Sequence, residues 1–243
     1  LNGDLVAGDG VYPVVIPGSL QANRRLVRYR ITATDTLGAT VRGPYGDDPQ
    51  PNFAYFVYDG VPDYTASLRP GVTPNVVYSG AALDDLATYH LIASAADVQN
   101  SQYNSSFYEV LFRGTLVYDG IVYDHVEFRN RGVASTYVVG KNKWKIEFLT
   151  GHELLARDNY GNLYAEPWDE INILPATNPW WRNDVSTEGT VLFEPAAFKL
   201  YELAGAPSPY TTYFNFRVVT EASEAGASQY GGDFWGLYIG IEQ

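Results

Sequence analysis

Apolar and charged residues alternate strictly in two short runs near the middle of the chain, Val126-Glu127-Phe128-Arg129 and Lys143-Trp144-Lys145-Ile146-Glu147-Phe148. A period of two marks strands with one face buried and the other solvated. Between them lies a turn rich in small and hydroxyl residues, Arg131-Gly132-Val133-Ala134-Ser135-Thr136. The unit predicted is strand, loop, strand, with backbone amides, hydroxyls and three lysines gathered at one end. Such an end suits an anion, and it equally suits an ordinary hairpin with a solvated lysine edge.

Similar patterning organises the rest. In residues 1–60, Asn2-Gly3-Asp4 and Ala7-Gly8-Asp9-Gly10 are turn chemistry, followed by strands at Val11–Ile16, Arg24–Thr34 and Phe53–Val57. Asp35-Thr36-Leu37-Gly38 turns the chain back. These short strands predict part of an immunoglobulin-like or fibronectin-like sandwich, short of the roughly seven strands a whole one needs. Residues 61–87, with Pro62, Pro70 and Pro74, read as a surface linker.

From residue 88 a meander is predicted: Tyr89–Ala93, Phe107–Phe112, Thr115–Tyr118, Ile121–Arg129 and Lys143–Phe148, with Asp119-Gly120 as a two-residue hairpin turn. Ser94–Ser105 is polar, with a single helical turn expected. One good helix begins near Glu194, with Pro195 in its first turn, and is stopped by Gly205 and Pro207. Its apolar face (Phe198, Leu200, Tyr201, Leu203) is expected to pack on the sheet. Strands at Thr212–Thr220 and Phe234–Gln243 follow. The fold class is therefore mainly β with some α (α+β): a partial β-sandwich in residues 1–60, then an antiparallel sheet with one main helix in residues 88–243.

Composition narrows the function more than the fold. A formal net charge of −12 over 243 residues opposes binding to nucleic acid or an anionic membrane, which needs clustered Lys and Arg. No apolar run approaches the ~20 residues of a membrane-spanning helix. Cysteine is absent, which excludes disulfides, thiolate metal sites and cysteine catalysis. The chain begins at Leu1 and contains no methionine, so we expect a processed segment of something longer.

Most catalytic signatures fail on inspection. His90, His125 and His152 are scattered, and His152-Glu153 is followed by Ala156 where a zincin needs its second His. There is no Gly-x-Ser-x-Gly elbow and no Walker loop. Asp4 and Asp9 offer the hard oxygens calcium takes, but without the alternate-position spacing of an EF-hand, and plain turn chemistry is the competing reading. Asn104-Ser105-Ser106 matches a glycosylation sequon.

The central unit is more specific. Arg129-Asn130-Arg131-Gly132-Val133-Ala134-Ser135-Thr136, then Lys141 to Phe148 and Arg157-Asp158-Asn159-Tyr160-Gly161, resembles the spore-coat protein H (CotH) kinase family. Trp235-Gly236-Leu237-Tyr238-Ile239-Gly240-Ile241-Glu242-Gln243 looks like that family's Gly-x-Tyr…Glu-Gln strand, and the first 60 residues look like the sandwich domain that often precedes it in large secreted bacterial proteins. The resemblance implies that residues 88–243 are similar to the N-terminal lobe of an atypical protein kinase, covering ATP with magnesium. It implies Lys145 on the phosphates, with Lys143 and Lys141 behind it, Gly132, Ser135 and Thr136 over them, and Glu202, or else Glu194, as the helix partner. The loop departs from Gly-x-Gly-x-x-Gly, having only Gly132 and Gly140. The family's catalytic and metal-binding aspartates belong to a second lobe beyond the Glu-Gln strand, so this chain alone is expected to be catalytically silent.

Three functions follow as expectations. The first is an extracellular structural subunit that self-assembles, as a homo-oligomer or filament at the cell surface, through exposed strand edges. The second is the ATP-binding half of a secreted kinase-like enzyme. The third is a carbohydrate-binding adhesin using clusters such as Trp180-Trp181, against which stands the ordinary use of aromatics as core.

Overall fold

The computed structural model describes residues 6, 9–132, 141–176, 190–225 and 231–243. Three two-stranded ribbons come first. β1 (Arg25–Tyr29) pairs antiparallel with β4 (Phe53–Val57), β2 (Ile31–Thr34) with β3 (Thr40–Gly43), and β5 (Tyr64–Ala66) with β6 (Val76–Tyr78). The β2–β3 turn forms where expected: the Asp35 carboxylate accepts the amides of Leu37 and Ala39 at 2.8 Å each, and Gly38 takes φ +87°.

After the short helix α1 (Gly80–Leu83) come β7 (Thr88–Ile92), α2 (Ala95–Tyr103), β8 (Phe112–Tyr118), β9 (Ile121–Asn130), β10 (Trp144–Glu147), β11 (Glu170–Pro175), α3 (Thr190–Leu203), β12 (Thr211–Val219) and β13 (Phe234–Glu242). The seven strands from β7 to β13 close into a barrel in the order β10-β11-β13-β12-β7-β8-β9. Every pair is antiparallel except β7 with β12, which run parallel. The architecture is thus mostly β with a few helices.

The barrel follows from the alternation. Inward positions of β10 and β11 are Trp144, Ile146, Ile171 and Ile173, all fully buried. Trp144 meets Phe216 nearly edge-on at 5.3 Å between ring centroids, and Phe216 meets Tyr238 at 5.3 Å. Tyr89 stacks on Phe214 at 4.1 Å. Each of these rings removes a large apolar area from water, and the tilted pairs add to that burial. Gly240 lets the strands approach, because a Cβ there would lie 2.6 Å from Ile171 Cδ1.

Several expectations need correction. The open meander closes on itself, because β12 returns alongside β7. Val11–Ile16 forms no strand, and Arg24–Thr34 is split into β1 and β2. The linker carries the β5–β6 ribbon and α1, and the polar stretch after Ser94 is the nine-residue α2, capped by the Ser94 hydroxyl accepting from Asp97 N at 3.1 Å. α3 begins at Thr190, so Pro195 lies in its second turn, not its first. Its apolar side chains Leu192, Phe193, Leu200, Tyr201 and Leu203 are 58–73% exposed and do not pack on the sheet.

The first ribbon is clamped to the barrel by charge. Arg28 on β1 donates both Nε and Nη2 to Asp124 on β9, at 2.6 and 2.7 Å. Thr115 Oγ1, Asn52 Nδ2 and the His125 amide also donate to that carboxylate, whose side chain is fully buried. Arg24, at φ +66°, reaches Glu224 and Asp233 at 2.5 Å each, and Arg217 on β12 pairs with the same Glu224.

Burial alone would raise Asp124, but the hydrogen bonds from Arg28, Asn52 and Thr115 outweigh it and hold the carboxyl below its ordinary range. A lowered folded-state value contributes stability above the unfolded pKa, near 4, and loses it as pH falls. Acid unfolding of Asp124→Asn should therefore begin from lower stability and show a flatter acid limb. Arg28→Ala should cost about 2–3 kcal/mol in chemical denaturation, since it strips charge-assisted hydrogen bonds from a buried carboxylate. Arg113→Ala, whose pair with Glu127 spans 3.7 Å and is exposed, should cost under about 1 kcal/mol.

Candidate functional site

The connection between β9 and β10 has a pinned neck. Asn130 at the end of β9 and Asn142 just before β10 both donate their side-chain amides to the Gln102 carbonyl of α2, at 3.3 and 2.6 Å. Arg131 N donates to Lys143 O at 3.2 Å. Gly132 follows at φ +122°, a conformation essentially open only to glycine. Ser135 and Thr136 lie outside the described residues, as do Asp4 and Trp180-Trp181.

Lys145 lies on the outer face of the barrel, opposite in register to Arg129 on β9 and Asn172 on β11. Asn172 in turn faces Ile241 on β13, so Arg129, Lys145, Asn172 and Ile241 form one outward row across four strands. Beside this row is a cleft of 560 Å³, to which Arg131, Asn172, Glu194, Phe198, Glu242 and Gln243 contribute. It brings the loop neck, the outer sheet face, helix α3 and the Glu-Gln end of β13 to one place. The Ser208 hydroxyl donates to Phe198 O at 2.8 Å, tying the end of α3 to the segment that enters β12.

The polar inventory of the cleft is mixed. Asn172 is buried; its Nδ2 donates to Gln243 Oε1, and its Oδ1 has no hydrogen-bond partner. Glu242 accepts from Tyr210 N at 3.1 Å. The orphaned Asn172 oxygen and the Arg131 cation fit a ligand carrying both an N–H donor and an anionic group, as a nucleotide does. Magnesium is less well served: no group of three or more metal-ligating side chains occurs among the described residues.

Lys145 itself is already engaged. Its Nζ lies 2.5 Å from Glu170 and 2.9 Å from Glu147. Partial burial lowers its pKa, but the two carboxylates outweigh this and raise it, so the ammonium is held firmly. The register explains the arrangement, because Glu127, Glu147 and Glu170 stand opposite one another across β9, β10 and β11. Like charges facing each other weaken a sheet, and Lys145 relieves them. Glu202 is on the exposed part of α3 and pairs with Lys199 at 2.9 Å. The two residues are therefore not brought together, whereas Glu194 does reach the cleft.

The lysines ranked behind Lys145 separate sharply. Lys143 is exposed. Lys141 is half-buried, donates to Leu237 O at 2.7 Å and sits 4.5 Å from the Tyr238 ring centre; burial lowers its pKa to about 8. Asp9 accepts the Val11 amide at 2.9 Å, which is turn chemistry.

Neither a protein-family model nor any curated protein matches the chain.

Lys145→Ala should destabilise the fold by about 1 kcal/mol, by exposing the three glutamates to one another. Adding Glu170→Gln should restore most of that loss in thermal or chemical denaturation. Additive losses from the two substitutions would show that Lys145 does not neutralise the row.

Proposed function

We propose that this chain is the nucleotide-binding half of a two-lobed phosphotransferase of the kind its resemblance to the CotH kinase family implies. The observation that carries the reading is the outer-face cleft, where Arg131 at the loop neck, Asn172 beside Lys145, Glu194 of α3 and Gln243 at the end of β13 converge. Kinase chemistry asks for a cation and a helix carboxylate near the phosphates, and the cleft's Arg131 and Glu194, with Lys145 on the adjoining strand row, support the reading. The exposed apolar side of α3 gives further support, since an exposed apolar patch marks an interaction surface and a second lobe would cover it. Magnesium and the catalytic carboxylates would come from that lobe. An extracellular setting is part of the same proposal, being that of the family.

Assembly through open strand edges has less to rest on. The main sheet is a closed barrel, and among the described residues free edges are confined to the two-stranded ribbons. Sedimentation of the purified chain should accordingly give a monomer across the accessible concentration range. Concentration-dependent growth or fibres by microscopy would return the assembly reading to first place.

Titration calorimetry of ATP with magnesium, on this chain and on the protein bearing the second lobe, tests the nucleotide reading. Arg131→Ala should weaken binding about tenfold or more, the loss expected for a charge-assisted contact to phosphate. The Lys145→Ala/Glu170→Gln pair, which keeps the glutamate row relieved, should do the same. Absence of binding by the two-lobed protein, or equal binding by both variants, would sink the assignment.

A further inference from the structure

A second cleft, of 740 Å³, shares no residue with the first. It opens where β7 and β12 begin and β8 turns into β9, and it is roofed by the segment following β4. Its size falls within the range of small-molecule sites, about 300–1,000 Å³.

Four carboxylates line it: Asp84, Asp85, Asp119 and Asp158. Asp119 is neutralised by Arg157 at 2.8 Å, and Arg157 also donates to Gly161 O at 2.9 Å. Asp158 keeps its charge, lowered below the ordinary range chiefly by hydrogen bonds from Asn162. Asp84 and Asp85 are exposed and have no side-chain hydrogen bond or ion pair among the described residues. Three carboxylates without an ion-pair partner among the described residues therefore line one cavity, with Lys199 offsetting part of the Asp158 charge.

An independent feature lies at its floor. His90 on β7 is 6% exposed, lines the cleft, and has its Nδ1 buried without a hydrogen-bond partner among the described residues. Its ring is held by Tyr58, edge-on at 4.6 Å, and by Phe56 at 5.7 Å. The Tyr58 hydroxyl is likewise buried and unpartnered. Burial, with Arg217 and Arg24 nearby, lowers the His90 pKa to about 3, so the ring is neutral and one of its nitrogens is an acceptor. Those two arginines are themselves balanced by Glu224 and Asp233. Buried polar groups without partners are uncommon in folded proteins and call for an explanation. A bound donor supplies one.

We propose that this cleft binds an alkyl-ammonium or guanidinium group, its cation among Asp84, Asp85 and Asp158 and its body on the Phe56 and Tyr58 rings, with a polar atom reaching His90 and the Tyr58 hydroxyl. The same chemistry is available from a free amine or from the lysine or arginine side chain of a peptide. A cation beside aromatic faces gains from the ring quadrupole as well as from the carboxylates.

The probes are agmatine as free cation and acetyl-arginine-amide as side-chain mimic, titrated into the whole chain and followed by calorimetry and by the His90 ring resonances. Saturable one-to-one binding that shifts those resonances is expected. Asp84→Asn/Asp85→Asn should weaken it about three- to tenfold, as two partly screened charges would, and His90→Phe, which keeps a ring in place, should weaken it further. Agmatine binding alone assigns a small-molecule source, and tighter binding of the capped arginine assigns a peptide. No saturation with either probe, or affinity unchanged in Asp84→Asn/Asp85→Asn, overturns the proposal.

Discussion

Closure of the seven-stranded sheet is the constraint on which everything else depends. Once β12 lies parallel to β7, every barrel strand has two neighbours and every side chain is assigned to the inside or the outside. The inside is taken by Trp144, Phe216, Tyr238, Tyr89 and Phe214, packed ring against ring. Chemistry is therefore displaced to the outer surface, in grooves made by whatever packs there. α3 and the end of β13 make one groove, and the segment following β4 makes the other.

Charge then decides how those outer pieces are held. The chain has 16 Lys and Arg against 28 Asp and Glu, so each cation has a choice of carboxylates. Arg24, Arg28 and Arg157 are spent on joining segments distant in sequence, and Arg217 pairs locally with Glu224. Pairs with a buried member, such as Arg24–Asp233 and Arg28–Asp124, contribute little net stability relative to apolar packing, but removing one partner is expensive. They act as fasteners, fixing where the ribbon sits rather than how strongly it sticks. A consequence is that the excess acid is left at the surface, and part of it gathers at Asp84, Asp85 and Asp158.

Local structure was legible in the sequence where it depended on neighbours along the chain. Asp119-Gly120 makes the β8–β9 turn with both residues at positive φ, as a two-residue turn requires, and the alternation around Phe128, Trp144 and Ile146 gave the buried face. Closure was not legible, because the parallel β7–β12 pair joins residues more than a hundred positions apart with no turn to announce it. His90 gave no signal either: a single histidine in an apolar strand looks the same whether it faces solvent or the Tyr58 and Phe56 rings. The exposure of Leu200 and Leu203 on α3 contradicts the usual meaning of an apolar helix face. Of the described residues that the resemblance implied, only Glu194 lines the cleft, whereas Asn172 and Arg131 had no signal in the sequence, because strand pairing and the approach of α3 bring them there.

Lys145 illustrates why position alone does not settle a role. Glu127, Glu147 and Glu170 face one another across three strands, and a cation at this spot stabilises the sheet whether or not a ligand ever binds. An incoming phosphate would compete with two carboxylates at 2.5 and 2.9 Å, and it would bring more negative charge to a crowded face. Binding there is favourable only if Arg131, or a metal ion carried in with the nucleotide, absorbs that added charge. On the proposed reading the lysine would be shared between fold and ligand. Its contribution to binding is separable from its contribution to stability only when the glutamate row is relieved at the same time.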